Sequence, residues 1–302
     1  MRIYIYRGGE KLVGRSGVGQ AIRHQEACLR RAGVPLTDRW TGDTAAVHVN
    51  TVLPDSVVTA LAAKLRGRKV VWYGHSTMED FRGSFRGSDQ LAPLFRRWII
   101  FCYGLGDVVL TPTEYARGLL EGYGLRRPVY SISNGVDTSF FRPDPSLRDA
   151  FRRRYGLCEG EQAVISVGHT IARKGLPEFL ELAHRLPQVR FLWFGWTDPR
   201  LVPAEIRRAM EAAPDNVQFP GFVDRERLRE AYCGADAFAF LAMRRRRASW
   251  CWRRCPAVFP WWFGTSQCIR GGSRTGKMYT KRQIQMSLYR SLWDCWTNPC
   301  RT

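Results

Sequence analysis

Along the first 242 residues, short apolar runs alternate with stretches in which hydrophobic positions recur every three or four residues. Ile3–Tyr6 reads as a strand and Gly19–Ala32 as a helix. Strand-length runs follow at Ala46–Asn50, Lys69–Gly74, Asp107–Thr111 and Pro128–Ile132, with helical periodicity between them. After Asn134-Gly135-Val136-Asp137 the rhythm restarts, with strands at Ala163–Val167, Val189–Gly195, Asn216–Phe219 and Ala237–Leu241. The helices of this second series are Leu176–Leu186, Pro203–Ala213 and Arg225–Ala235. Strands alternating with helices predict right-handed βαβ units and parallel sheets covered on both faces. Two such series joined near Asn134–Pro143 predict an α/β chain of two Rossmann-like domains facing a cleft. The expected boundaries are 1–138 for the first and 139–242 for an incomplete second.

From about Met243 the periodicity disappears. Residues 243–302 hold thirteen Lys and Arg against one acid, Asp294, so twelve units of the net charge of +20 lie there and +8 remains for the rest. The same stretch holds five of the nine cysteines and six of the eleven tryptophans. A net charge of this size would ordinarily point to nucleic acid, but its crowding into one stretch weakens that reading. A hydrophobic content of 45% argues against disorder over the whole chain. No apolar run has the length of a membrane span; Val189–Trp196 is only strand-sized. Met1–Tyr6 enters a strand directly, with no signal peptide visible, so the expected location is the cytoplasm.

The segment Val164–Gly175 carries the most chemistry. An apolar run stops at Gly168, His169 follows, and Arg173-Lys174-Gly175 precedes the helix at Leu176–Leu186. Such a strand–loop–helix unit aims backbone N–H groups and two cations at one point, which suits a diphosphate. A plain solvated loop is the competing reading. Phe81–Trp98 interleaves Phe81, Phe85, Phe95 and Trp98 with Arg82, Arg86, Arg96 and Arg97. That pattern suits an anionic membrane face, or else a helix packed by its aromatics with arginines in water.

Four marks in order, Ser16-Gly17-Val18-Gly19, Gly74-His75-Ser76, Asn134-Gly135-Val136-Asp137 and Gly168 with Arg173-Lys174-Gly175, resemble retaining glycosyltransferases of the GT-B type, family four. Tyr73–Arg82 is similar to Gram-positive enzymes that extend glucosyl-diacylglycerol membrane lipids. The resemblance implies that Gly17 and Gly19 let backbone approach a donor diphosphate and that His75 hydrogen-bonds the transferred sugar or the acceptor. It implies that Arg173 and Lys174 neutralise the leaving diphosphate beside Gly168, and that Asn134–Asp137 shape the joint. No Asp-x-Asp motif stands near the cleft-forming segments, so neither metal nor cofactor is expected and the sugar nucleotide is the donor substrate. His24 and His169 read as structural.

The family pattern next requires two glutamates separated by seven residues, whereas the chain reads Ala242-Met243-Arg244-Arg245-Arg246-Arg247. Trp has a single codon and Cys two, which makes a one-base shift testable by hand. Shifted, Trp250-Cys251-Trp252 forces Val-Leu and Trp261-Trp262-Phe263 forces Val-Val. Degenerate positions around them permit a Glu-x7-Glu segment with its second glutamate followed by Ala. Residues 243–302 therefore read as out-of-frame translation without a fold. Cys251, Cys255, Cys268, Cys295 and Cys300 lack the paired short spacings of a zinc site.

The expected function is transfer of a hexose from UDP-glucose or UDP-galactose to a membrane glycolipid, by a peripheral protein on the inner face of the cell membrane. This chain is expected to be inactive for want of the two glutamates. A lipid-linked cell-wall or capsular polysaccharide intermediate is the alternative acceptor. A non-catalytic basic protein on nucleic acid or anionic lipid is the alternative class, with no specific nucleic acid expected.

Overall fold

The computed structural model describes residues 2–9, 17–85, 87–135 and 137–241, together with the backbone of 243–244 and 247–248. Met1–Ser266 forms one compact unit that holds both sheets described below. The proposed out-of-frame stretch lies outside the described residues, except that Met243 and Arg244 pair antiparallel with Ala248 and Arg247.

The first series builds β1 (Arg2–Tyr6), α1 (Gly17–Arg31), β2 (Leu36–Thr37), β3 (Thr44–Val49), α2 (Pro54–Leu65), β4 (Lys69–Tyr73), α3 (Met78–Phe81), α4 (Ser88–Gly104), β5 (Val108–Thr111), α5 (Glu114–Gly122) and β6 (Val129–Ser131). All six strands run parallel in the order β2-β1-β3-β4-β5-β6. The second series builds α6 (Pro145–Arg154), β7 (Gln162–Val167), a 3-10 turn at Ala172–Lys174, α7 (Leu176–Arg185), β8 (Val189–Phe194), α8 (Ala204–Glu211), β9 (Val217–Gly221), α9 (Arg225–Gly234) and β10 (Ala237–Phe238). Its parallel order is β10-β7-β8-β9.

Each sheet has its own core. Around the first, Val47, Val70, Trp72 and Val109 of the strands meet Ala60 and Ala63 of α2 and Ile99, Cys102 and Tyr103 of α4. Around the second, Ile165, Leu192 and Phe194 meet Phe151 of α6 and Ala231 and Tyr232 of α9. Helix starts follow from local chemistry. Thr113, Asp144 and Asp224 accept hydrogen bonds from the first-turn amides of α5, α6 and α9, and Pro145 opens α6 at a position that needs no N–H.

The first helix begins at Gly17, two residues before the expected Gly19. Two elements that the periodicity does not announce are α6 and the two-residue edge strand β2.

In both sheets the strand order reverses direction at one place, between β1 and β3 in the first and between β7 and β10 in the second. Open α/β sheets bind ligands beyond the carboxyl ends of the strands at such a point.

Candidate active site

At the carboxyl ends of the first sheet, one hydrogen-bonded series connects three strands. Asn50, just past β3, accepts through Oδ1 from His75 Nε2 at 3.3 Å. The His75 ring stacks on Tyr73, the last residue of β4, with centroids 4.4 Å apart. The Tyr73 hydroxyl lies 2.6 Å from the Ile132 carbonyl oxygen and 2.9 Å from Asn134 Oδ1, just beyond β6. From α1, His24 Nδ1 reaches the Gly135 carbonyl oxygen at 3.3 Å.

Burial dominates the electrostatics here. It lowers His75 to about 3, with His48 contributing, and lowers His48 itself to about 4. Burial also pushes the Tyr73 hydroxyl up to about 12. All three groups are therefore neutral near pH 7. With Nε2–H committed to Asn50, His75 keeps Nδ1 as an acceptor that a substrate hydroxyl can use. His48 Nε2 and Asn50 Nδ2 are buried and have no hydrogen-bond partner among the described residues.

Beyond His75 the chain turns tightly and is pinned by two tyrosines. The Tyr103 hydroxyl donates to the Ser76 carbonyl oxygen at 2.8 Å and accepts from the Ser76 amide at 3.1 Å. The Tyr123 hydroxyl accepts from the Met78 amide at 3.1 Å and donates to Glu79. Thr77 Oγ1 accepts from the Asp80 amide at 3.1 Å, which fixes the start of α3.

In the second sheet, the loop after β7 is held by backbone. The Gly168 amide donates to Phe194 O at 2.8 Å, and Gly168 O accepts from Trp193 Nε1 at 3.0 Å. Gly195, at φ 128°, lies so close to Gly168 that a Cβ would collide with the Gly168 backbone. His169 Nδ1 lies 3.0 Å from Trp196 O. Lys174 runs its stem beside Gly168 and carries Nζ 5.8 Å from the centre of the Phe240 ring, just past β10. The cation thus sits over the gap between β7 and β10, where the strand order reverses. Gly175 follows at φ 84° with its α-carbon against the Leu241 backbone.

Arg173 leaves this loop toward the first sheet, where its Nη1 donates to Asp80 Oδ1 at 3.1 Å. Five positions after His75, Asp80 therefore ties the Arg-Lys loop to the turn that follows β4. Of the residues the sequence singles out, this contact brings Arg173 to the His75 turn, and Tyr73 brings Asn134 beside His75. Gly17 and Gly19 lie in the first turn of α1, and residues 10–16 before them lie outside the described residues. Sequence reasoning passes over Asn50 and Phe240, and it includes Tyr73 and Asp80 only within the Tyr73–Arg82 resemblance, without a role of their own. Asn50, Tyr73 and Phe240 stand at or just past strand ends, the one signal that could have marked them, whereas Asp80 lies within α3.

Residues 28–140 match the Glycosyltransferase Family 4 domain. Over 242 residues, 80% of this chain and 71% of the relative, the sequence is 33% identical to a processive diacylglycerol alpha-glucosyltransferase of Acholeplasma laidlawii. The chain belongs to glycosyltransferase family 4. A second relative, the alpha-galactosylglucosyldiacylglycerol synthase of Streptococcus pneumoniae, is 28% identical over 249 residues; the match spans 79% of this chain and 65% of that one. Among solved structures, the Anabaena protein Alr3699/HepE in complex with UDP and glucose has a TM-score of 0.60, covering 80% of this chain and 74% of that one at 15% identity. That likeness is one of fold, and it identifies the two parallel sheets as a GT-B arrangement.

Proposed function

We propose that this glycosyltransferase takes a hexose from UDP-glucose or UDP-galactose and delivers it, with retention, to a membrane glycolipid. The observation that carries the reading is the Arg173–Asp80 ion pair, which sets the cationic loop of the second sheet against the turn bearing His75. Arg173 and Lys174 receive the donor diphosphate, and preorganised cations at that point stabilise the charge that develops as the glycosidic bond breaks. The bond from the anomeric carbon to the diphosphate oxygen opens, and the acceptor hydroxyl oxygen bonds to the same face. Its proton passes to a phosphate oxygen of the leaving group. Neutral His75, fixed by Asn50 and Tyr73, accepts a hydrogen bond from a sugar hydroxyl. Gly17 leaves the start of α1 open to the donor, a Cβ there meeting nothing within 4 Å among the described residues, while Gly19 is buried two positions further in and lets the helix pack closely. The names of two relatives, both diacylglycerol glycolipid enzymes, support the glycolipid acceptor.

The membrane is met by α2 and α4, which share one core. Leu91, Leu94 and Phe101 of α4 and Val58, Leu61 and Leu65 of α2 are exposed at helical spacing, Leu65 by 89%. Exposed Arg66 and Arg97 flank these stripes, as an anionic lipid surface requires. Phe81, Phe85 and Phe95, by contrast, pack on one another, with Phe81 and Phe95 stacked at 4.0 Å. Among the described residues no helix is long and apolar enough to cross a membrane.

The loss of hydrophobic periodicity from about Met243 and the residues that a shifted frame forces support reading residues 243–302 as out of frame. The test is to sequence the gene around the Ala242 codon and to assay the chain as it stands and with the frame restored. Radiolabelled UDP-sugars and a membrane lipid extract should give labelled glycolipid only with the restored chain. Equal turnover by both would overturn this account of the site.

A further inference from the structure

We propose that Asp80 is the positioning residue for Arg173, occupying its guanidinium until the donor diphosphate takes over the contact. The proposal rests on the assignment of Arg173 to the diphosphate. Asp80 and Arg173 are 93 positions apart and belong to different sheets, yet Asp80 Oδ1 lies 3.1 Å from Arg173 Nη1. The carboxylate is itself held in place. Its other oxygen accepts from the Thr77 hydroxyl at 3.0 Å, and the Asp80 amide donates to the same oxygen atom of Thr77 at 3.1 Å. Thr77 is buried, and the turn before it is fixed by Tyr103. A carboxylate so held offers an oxygen where a phosphate oxygen would otherwise bind.

The pair cannot persist through the reaction without opposing it. A carboxylate one guanidinium away from a leaving diphosphate disfavours the negative charge that develops there. Exchange removes that opposition. The Asp80 carboxylate is about half exposed, so water takes over its solvation as Arg173 turns to the donor. In this scheme Asp80 keeps Arg173 extended and correctly aimed in the empty enzyme, and it competes weakly with the donor.

The experiment is UDP binding to the full 302-residue chain by calorimetry, for the parent, Asp80→Asn, Asp80→Glu, Arg173→Ala and the Asp80→Asn/Arg173→Ala double variant. Asp80→Asn should tighten UDP binding roughly two- to fivefold, the range expected for a partly exposed ion pair. Asp80→Glu should restore the parent affinity. Arg173→Ala should weaken binding at least about tenfold, and in that background Asp80→Asn should change nothing. Melting curves accompany each variant, because a purely structural Asp80 would lower stability without this coupling. Unchanged or weaker binding by Asp80→Asn, with Arg173→Ala still weak, would overturn the role of Asp80 alone. If Arg173→Ala binds UDP like the parent, the assignment of the diphosphate falls, and this proposal with it.

Discussion

His75 and His48 are uncharged hydrogen-bonding groups, and their burial links stability to pH. Both folded-state values, about 3 and about 4, lie below the ordinary histidine value near 6.5. Between those limits the unfolded chain binds protons that the folded chain refuses. Their contribution is therefore complete above about pH 6.5 and is lost as pH falls toward 4. Melting temperature followed from about pH 7.5 to 4 should drop, and His48→Gln should flatten the slope; an unchanged slope would mean that His48 is not buried as described. For catalysis, Arg173→Ala or Lys174→Ala in the frame-restored enzyme should lower turnover by about 10²-fold or more in the radiolabel assay. The sequence exposes the identities of His75, Arg173 and Lys174 because each closely follows a strand. It hides their partners, since Asp80, Asn50 and Phe240 join them only through folding.

Elements differ in how openly the sequence declares them. The strands β4, β7 and β8 are largely apolar, broken only by Lys69, by Gln162 and Ser166, and by Arg190, because both faces are mostly covered, so their positions are legible within a residue or two. The edge strand β2 is too short for any pattern, and α6 hides because only Phe151 of its ten residues is fully buried. Gly175 is an element-level constraint that its motif alone would not explain. It adopts φ 84° and leaves no room for a Cβ beside the Leu241 backbone. Gly175→Ala should cost about 1–3 kcal/mol in chemical denaturation, part from the left-handed backbone and part from displacing the chain beyond β10. In the first core, α4 offers a test of the membrane face. Leu94→Glu should reduce sedimentation with anionic lipid vesicles several-fold while leaving the melting temperature within about 2 °C, since Leu94 is exposed.

At the scale of the molecule, the charges of the described residues read differently from the raw total of +20. In the second sheet's surroundings, arginines meet acids: Arg148 with Asp236, Arg154 and Arg227 with Glu230, and Arg229 with Asp144. These pairings neutralise the arginines they hold, and +12 of the net charge lies from 243 onward, so the nucleic-acid reading leans mainly on that stretch. Filter binding of a nonspecific duplex should accordingly fall to background when the frame is restored. The two-series architecture is legible because the strand–helix rhythm is covalently local. The meeting of the two series at Arg173 and Asp80 is not, because nothing in either segment encodes the other's position.

The connection between the sheets is fastened on both sides. Tyr73 holds Ile132 and Asn134 to the first, while Arg225 binds Asp137 at 2.9 Å and lies 4.0 Å over the Phe140 ring in the second. Hydrogen bonds from Ser139, Arg225 and the Phe140 amide hold the Asp137 carboxyl far below the usual carboxylate range, so this clamp survives mild acid. Between the fastenings lie two positions, and one of them, Gly135, has φ 71°. A swing of one sheet relative to the other would turn on these few backbone angles and would also open the Arg173–Asp80 contact, as a door turns on a pin and lifts a latch. The same pin marks where halves from different relatives could be spliced.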